Sequence, residues 1–143
     1  MSTQLLSVPG KIHELSDDLE SHFFVILCTS LHFVKHDKPS GLDMKLIFDH
    51  VAISQGTGTH RGGGGKVFMY GQGLKIEFSS EPITTLIRRL LRLFRSLRDY
   101  HEYMNWENDP PQPVVEEAEK LKDCAEIKKL FVEALESRGW PTD

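Results

Sequence analysis

The stretch SDDLESHFFVILCTSLHFV, residues 16–34, constrains the fold most. Leu19, Phe23, Ile26, Leu27, Ser30, Leu31 and Val34 return at three- and four-residue steps, the period of an α-helix with one broad buried face. Phe24 and Val25 widen the apolar arc, which predicts a central helix covered on most sides. Asp17 and Glu20, three residues apart, fit a capping box, and Ser16 or Asp17 can accept from the orphan amides of the first turn.

HDKPSG (36–41) ends that helix, because Pro39 disfavours helical geometry at Lys38 and Gly41 permits a turn. A shorter helix is expected through LDMKLIFDHV, with Leu42, Leu46, Ile47 and Val51 inward. Residues 56–73 then hold eight of the chain's 11 glycines, and KVFMYGQGLKIEF splits round its GQG into two apolar pieces. These read either as a short β-hairpin near 66–78 or as an extended surface loop.

A second long helix runs through SEPITTLIRRLLRLFRSLRDYHEYM, with Pro82 at its first position. Ile83, Leu86, Ile87, Leu90, Phe94, Leu97 and His101 follow one stripe, and Arg88, Arg92, Arg95 and Asp99 the opposite one. NDPPQP is a stiff linker, and a last amphipathic helix is expected over 114–138, with Gly139 as its stop. The organisation predicted is a mainly α helical bundle over 1–104, a Pro-rich linker at 105–113 and a C-terminal helix at 114–138.

A chain of 143 residues with net charge −4 has one domain's worth of core and no global pull toward nucleic acid. The charge is uneven: residues 81–103 carry 5 Lys/Arg against 3 Asp/Glu, whereas 104–143 carry 5 against 10. Cys28 and Cys124 sit inside helical patterns and read as reduced core thiols of an intracellular protein. FFVILC is too short to span a bilayer and no signal-peptide pattern opens the chain, so no membrane role is expected.

Chemistry-bearing patterns are sparse. Gly56, Gly58 and Gly62 lack a preceding predicted strand and a following predicted helix, and Val67 stands where a Walker motif needs Ser or Thr, so the tract reads as a flexible loop and Lys66 as a surface residue. His32 and His36 have a spacing that could present two imidazoles to one metal, but a closed zinc site needs two more ligands. A helix-end or surface role fits them better. Arg88, Arg92 and Arg95 read as a solvated or internally paired face, as a partner surface, or as a nucleic-acid surface, the last disfavoured by the missing aromatics and lysines. No nucleophile or carboxylate pair carries an activating context, so no catalytic residue, metal ligand or cofactor-binding residue is assigned.

Three stretches in order resemble the fungal-type protein kinase family. MSTQLL followed by HELSDDLESHFFVIL is similar to its F-M-S-x-x-L-L and H-x-x-x-D-D-L-E-S segments. FDH…GTHRGGGGKVFM is similar to its G-G-x-x-K stretch, and SSEPITTLIRRLLRLFRSLRDYHEY to its late helix. The resemblance covers roughly residues 1–103 and implies the distal half of a kinase C-lobe. In that lobe the central helix starts D-[VL]-W-S; Asp18, Leu19 and Ser21 match, with Glu20 in place of Trp, so Asp18 and Ser21 are implied as anchors of the central helix.

The resemblance implies ATP and Mg for a full-length family member, but the machinery of phosphoryl transfer is not in this sequence. No H-R-D occurs, since His60-Arg61 is followed by Gly62, and no D-F-G occurs. Three readings are open: a truncated, catalytically inert lobe kept as a scaffold or binding module; one piece of a working Ser/Thr kinase whose catalytic half comes from elsewhere; or an Arg-rich helical phosphate- or RNA-binding module. The first predicts an exposed face on the central helix, covered by a protein partner or a second copy in a homo-dimer.

Overall fold

Helical periodicity in the sequence is matched by helical structure. The protein, described by a computed structural model over residues 2–3, 10–38, 47–48, 52–53, 60–61 and 64–140, is mainly α. Its elements are α1 (Leu15–Phe33), β1 (Ala52–Ile53), β2 (His60–Arg61), α2 (Gly64–Gln72), α3 (Glu81–Asn105), α4 (Gln112–Glu119) and α5 (Ala125–Glu136). The chain forms two compact units, Met1–Ser79 and Ser80–Asp143.

In the first unit α1 buries Asp17, Glu20, Phe23, Phe24, Leu27, Ser30 and Leu31. Its other face stays in solvent: Val25 is 63% and Phe33 78% exposed, so the helix is not covered on most sides. The capping box forms three residues earlier than the sequence suggests, with Glu14 at the N-cap and Asp17 at N3. Asp17 Oδ2 accepts from the Glu14 amide at 2.9 Å, which leaves Glu20 to the interior. At the other end Val34 N donates to Ser30 O at 2.9 Å. His36 closes the exit, its Nε2 lying 3.1 Å from Leu31 O and its Nδ1 accepting from Lys38 N at 3.3 Å.

No hairpin forms at 66–78. Gly64–Gln72 is helix α2, because Lys66, Met69 and Tyr70 then share one buried face, and that packing overrides the β preference of Val67, Phe68 and Tyr70. The segment after α2 pairs instead with the exit of α1: His36 and Phe78 form an antiparallel bridge, Ser79 N donates to Lys35 O at 2.7 Å and Asp37 N to Glu77 O at 3.1 Å. The ladder β1–β2 pairs Ala52 with Arg61 and Ile53 with His60. Most of the helix expected over 42–51, and the glycines of the tract before Gly64, lie outside the described residues.

In the second unit α3 buries Pro82, Thr84, Leu86, Ile87, Leu90, Leu91, Leu93 and Phe94, close to the predicted stripe. The single helix expected over 114–138 is two helices. A turn at 120–124 lets Leu121 bury completely, and Asp123 Oδ1 accepts from the Ala125 amide at 2.8 Å as α5 begins. Cys124 is therefore exposed rather than a core thiol, and Cys28 is half-buried. The Pro-rich stretch lies within the second unit, between α3 and α4. After α5 the chain folds back, with Trp140 Nε1 donating to Ala134 O at 2.9 Å, and Gly139, at φ 104°, passes against Pro82.

The GQG motif gives two opposite substitution effects. Gly71 is helical with open space round it, so Gly71→Ala should stabilise by about 0.4–1 kcal/mol through the unfolded chain's entropy. Gly73 ends α2 at φ 75°, its amide donating to Met69 O, so Gly73→Ala should cost about 1–2 kcal/mol. Urea denaturation of the two variants checks this; a shared sign would contradict the helix end at Gly73.

Candidate functional site

The chemically distinctive groups of the first unit are two buried carboxylates one turn apart on α1. Asp17 and Glu20 lie on the stripe that continues through Phe24, Leu27 and Leu31, so the helix turns both acids inward with the apolar residues. A buried carboxylate is tolerable only where donors replace its water. Asp17 Oδ1 accepts from Ser2 Oγ at 2.6 Å, and Oδ2 accepts from Lys11 Nζ at 2.5 Å and from the Glu14 amide. Glu20 Oε2 accepts from the Thr3 amide at 2.9 Å, while Oε1 accepts from Thr3 Oγ1 at 2.8 Å and Tyr70 Oη at 2.7 Å.

Among the described residues each acid thus takes three donors, and both oxygens of each are occupied. Such a pair holds segments together; a general base would need an open lone pair facing a substrate. Burial opposes the charged form of Asp17, but the hydrogen bonds from Lys11, Ser2 and the Glu14 amide, with the Lys11 charge, hold its carboxyl below the usual carboxylate range. Burial likewise works against the Lys11 ammonium, yet Asp17 and Glu14 outweigh it and hold that group above the usual lysine range.

Lys66 is not a surface residue. It is 7% exposed, with its ammonium 4.1 Å from the centre of the Phe24 ring. Burial lowers its affinity for a proton, and the nearby Glu20 charge partly offsets that. The two-residue ladder before Gly64 and the helix after it are elements the sequence pattern does not signal, yet Lys66 is committed to the interior and Val67 still stands where Ser or Thr would coordinate magnesium.

Asp18, expected as an anchor of the central helix, and its neighbour Asp17 take different directions. Because α1 begins at Leu15, Asp17 points inward, and Asp18 lies at the surface with its Oδ1 3.2 Å from His13 Nε2. Ser21 Oγ donates to Asp17 O at 2.7 Å, a contact within the helix. Reading the two acids as caps conceals the Asp17–Glu20 pair; their position on the stripe of Phe24, Leu27 and Leu31 is the signal that marks them as buried.

Arg88, Arg92 and Arg95 are exposed on α3, as their opposition to the apolar stripe requires. The acidic C-terminal region does pair with α3, but through another arginine: Arg89 meets Glu133 of α5. Arg98 pairs with Glu102 at 3.2 Å, and Arg95 Nε lies 4.0 Å from Asp99 Oδ2. His32 and His36 do not converge on a metal site; His32 is exposed beside Phe33, and His36 is used at the end of α1. Among the described residues no group of three His, Cys, Asp or Glu could hold a metal ion, and no helix is long and apolar enough to cross a membrane.

No protein-family model, curated protein or solved structure matches the chain. The kinase resemblance therefore rests on its sequence motifs alone.

The Asp17 network makes stability depend on pH with a definite sign. A carboxyl that titrates lower in the folded than in the unfolded chain adds stability that is fully present above its unfolded pKa of about 3.9 and is lost as pH falls through the folded value. Asp17→Asn should cost about 1.5–3 kcal/mol near neutrality. It should also flatten the loss of stability as pH falls below about 5 toward acid. Asp18→Asn should behave like the wild type. Chemical denaturation across that range decides it, and equal acid sensitivity of wild type and Asp17→Asn would refute the assignment.

Proposed function

We propose that the chain is a protein-binding module on a helical frame related to the distal part of a fungal-type kinase C-lobe, with no phosphotransfer of its own. Its contact surface is the stripe Arg88, Arg92 and Arg95, and its partner an acidic protein segment. The observation that carries this reading is the placement of guanidiniums along α3. Arg88, Arg92 and Arg95 are exposed at i, i+4 and i+7, opposite the apolar stripe, with Arg95 also 4.0 Å from Asp99. The three span about 10 Å along one face, the separation at which carboxylates two turns apart on a partner helix can each take a guanidinium. The kinase-like motifs support the frame, and the missing H-R-D and D-F-G support a binding rather than catalytic role.

Fluorescence anisotropy with a labelled Glu-rich helical peptide, and with a single-stranded oligonucleotide of equal charge, tests the surface. The peptide should bind, and the double variant Arg92→Ala, Arg95→Ala should weaken it by roughly tenfold, as expected for two charge-assisted contacts. Unchanged binding by the double variant would sink the surface; preferential oligonucleotide binding with a steep salt dependence would replace the acidic partner with nucleic acid.

Thermal-shift titration with ATP and magnesium tests the other half of the reading. No stabilisation is expected, since a ligand that binds the folded state raises the melting temperature by mass action. A reproducible upward shift would favour the reading in which this chain is part of a working kinase.

A further inference from the structure

The segment Asp99–Glu119 holds seven carboxylates and no lysine or arginine, while the rest of the chain holds 17 Lys/Arg against 14 Asp/Glu. All of the protein's net negative charge is therefore concentrated in the end of α3, the turn after it and α4. The fold wraps that segment round a cavity of about 370 Å³, lined by Asp99, Glu102, Tyr103, Trp106, Asn108 and Val114. Its size lies at the lower end of the range for small-ligand sites, about 300–1,000 Å³.

The backbone explains why these groups converge. Asp99, Glu102, Tyr103 and Trp106 follow at i, i+3, i+4 and i+7, one face of the last two turns of α3. Trp106 N donates to Glu102 O and Asn108 N to Tyr103 O, and Glu107 takes φ 54° to reverse the chain, bringing Val114 of α4 to the same cavity. The last turn of α3 carries no basic side chain of its own, and the cations that reach this corner are Arg95 and Arg98 of the preceding turns.

The two rings are surplus to the core. Trp106 is 74% and Tyr103 37% exposed, so neither is spent on interior packing. An indole and a phenol beside two carboxylates favour one kind of guest: a cation with an apolar surface, whose charge meets the ring faces and the acids while its methyl groups leave water. The carboxylates' present partners are the helix-surface pairs of Arg95 with Asp99 and Arg98 with Glu102, a class of contact worth little in water. We propose that this corner binds a methylated ammonium group, whether in a free choline-type molecule or on a trimethyl-lysine side chain.

In a Trp140→Phe background Trp106 is the one remaining tryptophan and reports directly. At constant ionic strength choline chloride should change its emission saturably, and the neutral isostere 3,3-dimethylbutanol should bind roughly tenfold more weakly, the range of a cation–π contact. Calorimetry on the otherwise wild-type chain should show Tyr103→Ala and Trp106→Ala losing choline, with Trp106→Phe keeping part of the affinity. Thermal melts should leave all three folded, since Trp106 and Tyr103 are surface rings. Tighter binding of a trimethyl-lysine peptide than of choline identifies a protein side chain as the source, and equal or weaker binding a free headgroup. Equal affinity for choline and its neutral isostere, or undiminished binding by Trp106→Ala, overturns the proposal.

Discussion

A carboxylate taken out of water loses a hydration shell that the protein must replace donor by donor, and the first unit answers that demand twice on one helix. Asp17 recruits Ser2 and Lys11; Glu20 recruits Thr3 and Tyr70, the last fifty positions away in sequence. Tyr70 can reach Glu20 only if its own segment is held against α1. Phe24, 6.0 Å from the Tyr70 ring and under the Lys66 ammonium, supplies the apolar side of the same attachment. The polar and apolar halves of the contact sit one turn apart on the same buried face of α1, where both Glu20 and Phe24 are out of water.

That arrangement explains which parts of the fold were legible. The long helices α1 and α3 were readable because their apolar residues recur over many turns, a signal no single neighbour can erase. Helix α2 was not. Nine residues with Val67, Phe68 and Tyr70 and three glycines make a weak helix by propensity, and its reason to be helical lies in Glu20, Phe24 and the placement of Met69, none of them local. The turn between α4 and α5 was hidden for the opposite reason. LKDCAE contains neither glycine nor proline, and the break is set by burial of Leu121 rather than by a breaking residue.

The same logic separates acids that hold the fold from acids that face solvent. Adjacent in sequence, Asp17 and Asp18 are about 100° apart round α1, and that rotation alone makes one a buried acceptor and the other a surface partner of His13. A motif match cannot distinguish them, since D-D-L-E-S is satisfied by either register of the pair; the start of the helix at Leu15 does. Glu20 lies on the inward face with Asp17, and its oxygens accept from Thr3 and Tyr70.

In the second unit the charges are sorted along one helix. The middle of α3 carries five arginines, whereas its last turns and the segment through α4 carry acids, so one 25-residue rod presents a cationic face and then an anionic corner. The internal pairs Arg95–Asp99 and Arg98–Glu102 mark the seam where the two regions meet and partly neutralise each other. Away from that seam each field keeps its sign, because exposed charges separated by more than a screening length of about 8–10 Å barely compensate one another. A helix of this length thus keeps a cationic stretch along its middle and an anionic one at its end, with the seam between them limiting interference.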